Sequence, residues 1–329
     1  MLTGFLGAGK TTLISRLVQQ PQMSRVAVVI NELGEIGIDH DLVSVSSENM
    51  TLLANGCVCC SVRTDLQDTL RTLFSERRSG AVFDFDRVVI ETTGLADPAP
   101  VVQVFALDTL ISAHYRLDGV VTLVDALNAP DQLDRQVEAV KQVAIADRLL
   151  ITKSDLVTEA ALASLRARLH ALNGYAALRN VVMGEIEPEY LLNLGLRSAR
   201  SDLGAVNRFL GWNSGSADGP PYLGTQLRSL HDRSIRTFSL QFDQPFTWAV
   251  FSAAMDLLTS LRGPDLLRLK GIVDVEGEPV VVQGVQHVFH PPAKLERWPG
   301  GERSTRLVFI TRNIEAATVK ALIEAARAL

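Results

Sequence analysis

The chain has 329 residues, enough for two domains, and its hydrophobic fraction of 47% fills ordinary cores. Its formal charge is −5 with no Lys/Arg block, so composition gives no support to a nucleic-acid or anionic-membrane partner. No apolar run approaches the roughly 18 residues of a membrane span and no signal peptide precedes Gly4, so the expected location is cytoplasmic.

Gly4-Phe5-Leu6-Gly7-Ala8-Gly9-Lys10-Thr11-Thr12 fits G-x-x-x-x-G-K-[ST] in full, and helical apolar spacing (Leu13, Ile14, Leu17, Val18) follows at once. The pattern predicts a phosphate cradle. Gly4, Gly7, Ala8 and Gly9 curl the backbone so that N–H groups point at phosphate oxygens, and the helix adds its positive N-terminus. Lys10 is expected to reach the β- and γ-phosphates, Thr11 to ligate Mg²⁺, and Thr12 to lie within reach of the α-phosphate. Such a loop leaves the end of a buried strand of about five apolar residues. Only Met1, Leu2 and Thr3 precede Gly4. The expectation is that the natural chain begins several residues upstream with an apolar, β-branched segment, the alternative being that another segment fills that place in the sheet.

Arg25–Asn31 is an apolar run of the kind a doubly covered parallel strand needs, and it empties into the acidic loop Asn31-Glu32-Leu33-Gly34-Glu35. Thr51–Ala54 is a short strand candidate leading to Asn55-Gly56-Cys57-Val58-Cys59-Cys60. Three cysteines in one short stretch are no disulfide framework and read as reduced thiols. In an extended segment Cys57 and Cys59 project to one side, and Cys60 needs only a turn to join them. Three thiolates suit Zn²⁺, Cu(I) or another thiophilic ion and leave a fourth position for water, a carboxylate or a partner protein. The six histidines are scattered and read as surface or capping residues.

Leu66, Leu70, Leu73 and Phe74 carry helical spacing. Arg87–Ile90 predicts a buried strand ending on Glu91-Thr92-Thr93-Gly94, with Asp97-Pro98-Ala99-Pro100 opening a helix. Glu91 stands where an acid would hold Mg²⁺ through a water. Gly94 can present its N–H to a γ-phosphate, an interaction that disappears on hydrolysis. Gly119–Val124 is a strand ending at Asp125, Gln132–Val143 a helix, and Arg148–Ile151 a strand ending on Thr152-Lys153-Ser154-Asp155. A carboxylate at Asp155 can accept both N1–H and N2–H₂ of guanine, and the Lys153 stem can cover the ring. Glu159–Leu172 is helical and Asn180–Met183 closes the series. Strands alternating with helices, each delivering a polar motif at its end, predict a doubly wound, mostly parallel sheet of the P-loop NTPase type with its site along the carboxyl edge.

Residues 195–233, interrupted by Gly211, Gly215, Gly219, Pro220 and Pro221, read as a linker between a domain at 1–194 and another at 234–329. The latter is a smaller α+β domain: a strand at Ile235–Phe242, a helix at Thr247–Leu261, a hairpin of Gly271–Val275 with Pro279–Val285, a strand at Arg306–Ile310 and a helix at Glu315–Leu329.

The phosphate loop, Asn31-Glu32-Leu33-Gly34-Glu35, Gly56-Cys57-Val58-Cys59-Cys60, Glu91-Thr92-Thr93-Gly94 and Thr152-Lys153-Ser154-Asp155 occur in the order found in CobW-like P-loop GTPases, which this chain resembles over nearly its whole length. Arg268–Ile272 through Gln283–Gln286 looks like that family's C-terminal domain. The family comprises zinc and cobalt metallochaperones related to the nickel-insertion GTPases of hydrogenase and urease. The resemblance implies a GTPase that binds GTP and GDP, holds Zn²⁺ (or Co²⁺ or Ni²⁺) between its switch regions and delivers it to a client metalloprotein, with a homodimer left open. It also implies that Glu32 and Glu35 complete the thiolate site or sense Mg²⁺. Two departures stand out. Thr152 replaces the asparagine of many GTPases, so a hydrogen bond to the base or the phosphate loop is expected to be altered. The linker carries only His231 in place of a His-rich tract. A P-loop kinase of small molecules, or a redox or structural zinc protein, are the readings from other classes.

Overall fold

The computed structural model describes residues 1–31, 52–54, 62–195, 234–299 and 303–328. They fall into two compact units, Met1–Leu165 with Leu178–Leu192, and Arg166–Ala177 with the chain from Asn193 onward. Among the described residues no helix is long and apolar enough to cross a membrane.

In chain order the first unit's elements are β1 (Leu2–Gly4), α1 (Lys10–Leu17), β2 (Val26–Asn31), β3 (Leu52–Ala54), α2 (Val62–Ser79), β4 (Arg87–Thr92), α3 (Ala99–Leu107), α4 (Thr109–His114), β5 (Val121–Asp125), α5 (Ala129–Arg135), α6 (Val137–Ala144), β6 (Arg148–Thr152), α7 (Glu159–Leu172, whose second half groups with the other unit), β7 (Ala177–Val181) and α8 (Pro188–Leu191). The strands form one seven-stranded sheet in the order β3-β2-β4-β1-β5-β6-β7. Pairs β2–β3, β2–β4, β1–β4, β1–β5 and β5–β6 are parallel. From β1 the chain first moves one way to β2, then returns through β4 and continues the other way to β5. Right-handed crossovers therefore put α1 on one face and the helices after β3, β4 and β5 on the other. The loops after β1, β4 and β5 converge where the order reverses, the crevice in which such sheets bind ligands.

The apolar runs explain the strands: all five residues of β5 and of β6 are buried, as a strand covered on both faces requires. Leu66, Leu70 and Leu73 of α2 are almost fully buried and pack with Ala27, Val29, Ile90, Val101 and Val104 in one cluster. Each buried leucine contributes about 1.5–3 kcal/mol. β1 has only three residues, all buried, and sits between β4 and β5.

Some expected boundaries are corrected. The last strand of the series is Ala177–Val181 rather than Asn180–Met183, because Met183 and Gly184 adopt positive φ (50° and 76°) and turn the chain. The single helix expected over Gln132–Val143 is two helices, broken at Gln136 with φ −119° and ψ 112°. Glutamine is a good helix former, so propensity favours continuity. After the break, α6 buries Gln142 against hydrogen-bond partners on β5 and on the loop after β4.

In the second unit β8 (Ile235–Phe242), α9 (Trp248–Arg262), β9 (Leu266–Val275), β10 (Glu278–Val285), β11 (Val288–Phe289), β12 (Ala293–Lys294), β13 (Thr305–Arg312) and α10 (Ala316–Arg327) make an antiparallel sheet, β11-β10-β9-β13-β8, with β12 on β10. β9 starts at Leu266, five residues before the expected Gly271, since Leu266 to Leu269 are all buried. The β9–β10 hairpin turns through Glu276 and Gly277 at φ 54° and 92°, the paired left-handed residues that match strand twist. α9 and α10 share one core with the sheet, built around Phe246, Phe251, Leu269, Phe309 and Ile323.

Candidate functional site

β1 releases the chain into the glycine loop, and α1 begins at Lys10. Gly7 and Gly9 sit at φ 75° and 89°, conformations that side chains resist, and Gly9 is the N-cap of α1. Lys10 is 8% exposed. Its Nζ donates to the carbonyls of Gly4 (2.9 Å) and Phe5 (3.3 Å), which hold the ammonium inside the loop. Thr11 is half-buried and Thr12 exposed, while Leu13, Ile14 and Leu17 anchor the helix. Under the loop, the Thr92 hydroxyl of β4 donates to Thr3 Oγ1 at 2.8 Å, both side chains being fully buried.

Glu91, next to last in β4, stands between the buried Ile90 and Thr92, level with Ile30 on one side and Leu2 on the other, and is 4% exposed. Beyond it, Gly94 lies against the phosphate loop: a Cβ there would stand 2.5 Å from Leu6 N and 2.7 Å from Leu6 Cα. Between them the Thr93 hydroxyl oxygen is buried and finds no hydrogen-bond partner among the described residues.

The loop after β6 is tied to the same place. Thr152 Oγ1 donates to Ala8 O at 2.9 Å, so the threonine makes the bond to the phosphate loop that its exchange for asparagine had put in question. Lys153 sits at φ 55° and its ammonium pairs with Asp125 Oδ2 at 2.7 Å. Asp125, at the tip of β5 and 1% exposed, also accepts from Leu127 N and from the Asn128 side chain. Burial alone pushes its carboxyl up, but the Lys153, Asn128 and Leu127 hydrogen bonds outweigh that and hold it below the usual carboxylate range. Asp155 is exposed in the turn Ser154–Leu156. Finally the turn at Met183–Gly184 packs on α1, with the Gly184 Cβ position 3.1 Å from Thr12 O.

Residues 1–179 match the family described as CobW/HypB/UreG, nucleotide-binding domain, and residues 235–327 match the cobalamin synthesis protein cobW C-terminal domain. The chain belongs to the CobW/HypB/UreG family. It is similar to the zinc chaperone YjiA of Escherichia coli K12, 33% identical over 324 residues that cover 98% of this chain and 96% of YjiA. It is also similar to the zinc chaperone CobW of Pseudomonas aeruginosa, 30% identical over 97% of this chain and 88% of that protein. Among solved structures it is similar to the Zn(II)-bound YjiA GTPase of E. coli, with a TM-score of 0.72 and 28% identity over 99% of this chain and 97% of that one.

In this CobW-family chain the geometry above joins Lys10, Thr11, Glu91, Gly94, Thr152 and Lys153 along one sheet edge. Glu32, Glu35, Cys57, Cys59 and Cys60 lie outside the described residues, and no cluster of His, Cys, Asp and Glu that could hold a metal occurs within them. Asp125 and Gln142 belong to none of the sequence motifs. Asp125 had a signal, since it ends a buried strand where β4 and β6 deliver Glu91 and Thr152; Gln142 had none.

Gly94→Ala tests the closeness of the two loops. The new methyl meets backbone atoms of Leu6, which cannot swing aside as a side-chain end does. Overpacking of this kind costs about 1–3 kcal/mol, so a thermal midpoint lower by a few degrees and nucleotide affinity reduced about 5- to 150-fold are expected. Wild-type values in calorimetry and nucleotide titration would mean that the loops separate freely.

Proposed function

We propose that this CobW-family chain is a GTP-hydrolysing metallochaperone that binds Zn²⁺ at Cys57-x-Cys59-Cys60 and hands it to a client metalloprotein under nucleotide control. What carries the reading is the union of the phosphate loop with the Gly94 and Thr152 segments at one sheet edge, in a chain alike over 98% of its length to a protein named a zinc chaperone.

The loop Gly4 to Thr12 would cradle the phosphates, and Lys10 would neutralise the charge that builds on the γ-phosphoryl as water attacks phosphorus and the bond to the β–γ bridging oxygen breaks, giving GDP and phosphate. Thr11 and Glu91, a hydroxyl at the first turn of α1 and a buried carboxylate at the end of β4, are the hard oxygen donors Mg²⁺ selects. When bound, Mg²⁺ supplies charge neutralisation at the phosphate oxygens. Gly94 would sense the γ-phosphate, and Asp155 and Lys153 would hold guanine, with Thr152 tying their loop to the phosphate loop. Zn²⁺ is cargo, with Cys57, Cys59 and Cys60 as thiolate ligands and Glu32 or Glu35 completing the set. Thiolates stay available in a reducing compartment, the cytoplasm. Residues 1–194 would form the GTPase domain, 195–233 the linker and 234–329 the C-terminal domain.

The acidic loop and cysteine segment lie in sequence between the phosphate loop and Glu91-Thr92-Thr93-Gly94, so nucleotide state and metal affinity are expected to be coupled. The effect should be about 1–3 kcal/mol, roughly 5- to 150-fold, and by linkage Zn²⁺ must change the ratio of GTP to GDP affinity by the same factor. The test is a chelator competition titration of Zn²⁺, repeated with Co²⁺ and Ni²⁺, in a non-hydrolysable GTP analogue and again in GDP at fixed Mg²⁺ and pH. Tighter Zn²⁺ binding with the analogue is expected of a chaperone that releases on hydrolysis. Superimposable curves would overturn nucleotide-controlled delivery. Phosphate appearing on a small molecule instead of in solution would favour a kinase.

A further inference from the structure

We infer that Gln142 is a positioning residue that holds the Gly94 segment against the phosphate loop and so sets how strongly the site prefers GTP to GDP; the inference rests on the GTPase reading above.

Gln142 lies on α6 and is 1% exposed. Its Nε2 stands 3.1 Å from Gly94 O and 3.1 Å from Ala96 O. A primary amide carries two hydrogens, and both acceptors lie on one short loop. The next residue back, Lys141, binds Asp97 Oδ2 at 2.6 Å, while Asp97 Oδ1 accepts from Ala99 N where α3 begins. The helix is itself fixed to the sheet, since the Thr122 hydroxyl of β5 donates to Gln142 O at 2.8 Å. One turn of α6 therefore fastens the loop at residues 94, 96 and 97.

The consequence lies in the freedom of Gly94. Glycine has the widest range of backbone conformations of any residue, and a glycine whose N–H must meet a γ-phosphate gains from losing that range before the ligand arrives. Fixing the Gly94 carbonyl fixes the peptide that follows it. The close approach of Gly94 to Leu6 fixes its distance from the phosphate loop. Between these two constraints the segment is preorganised. A diphosphate, which lacks the group Gly94 would read, gains nothing from this arrangement. The anchor should therefore act on triphosphate binding alone.

Gln142→Glu keeps the shape of the side chain but replaces the donating NH₂ by a carboxylate oxygen facing two carbonyls. In this variant we expect affinity for a non-hydrolysable GTP analogue to fall at least tenfold while GDP affinity stays within threefold, and the hydrolysis rate at saturating GTP to fall with the former. Lys141→Met removes the second fastening, is partly exposed, and should shift the same ratio in the same direction by about threefold; it carries the test if Gln142→Glu does not fold. A purely architectural bond between helix and loop would lower the thermal midpoint and leave the analogue-to-GDP ratio untouched. An unchanged ratio in the folded variants overturns the inference. If wild type itself neither binds nor hydrolyses GTP, the GTPase reading fails instead.

Discussion

Lys10→Ala is expected to reduce GTP hydrolysis by about 10²–10³-fold, the loss seen when one preorganised donor to a developing charge is removed. The ammonium is already inside the loop, 2.9 Å from Gly4 O, so little rearrangement separates it from a bound phosphate. No thiolate depends on it, and Zn²⁺ affinity without nucleotide should stay within threefold of wild type. Steady-state phosphate release gives the first quantity and chelator competition the second. The variant also loses the two bonds that brace the loop, so a calorimetric scan must confirm that both proteins are folded at the assay temperature. Turnover within threefold of wild type would sink the assignment.

Asp155→Asn is the second large effect. A carboxylate can accept two N–H groups from guanine, whereas an amide in its place points a donor at one of them. Hydrogen bonds to a charged acceptor are worth about 1.5–3 kcal/mol, and an unpaired buried donor adds to the loss. GTP affinity should fall by about 2–3 kcal/mol, roughly 30- to 160-fold. Xanthosine triphosphate, whose exocyclic oxygen can accept from the amide, should bind the variant better than it binds wild type. Asp155 is exposed in the turn after Lys153, so the substitution disturbs no core and fold stability should hold. Equal affinities of wild type for ATP and GTP in a competition assay would remove the premise.

Local chemistry was legible in the sequence wherever a residue type has one use. Gly7 and Gly9 adopt the left-handed angles that a curled loop needs, and the runs of Val and Ile form the buried strands. The small domain's hairpin turned where Glu276-Gly277-Glu278 placed it. Pairings between distant segments were not legible. Nothing about a glutamine in a helical stretch says that it meets two carbonyls 46 and 48 residues away, and no helix-breaking residue announces the bend at Gln136. Asp125 is hidden for another reason. Its partner Lys153 belongs by sequence to the Thr152-Lys153-Ser154-Asp155 motif, and only the folded β5–β6 register brings the two together.

A hydroxyl has one hydrogen to give, and Thr152 has given it to Ala8 O. Whatever stands beside that oxygen afterwards meets only lone pairs. The ring nitrogens and carbonyl on that side of a purine are themselves acceptors, so Thr152 would have nothing to offer them. Recognition of the base would then be reduced to a count of protons at Asp155: guanine brings two N–H groups, hypoxanthine one, and adenine does not bring them in that pattern. The site would read the edge of the base through a single carboxylate, tolerant of inosine triphosphate to the extent that one hydrogen bond is weaker than two.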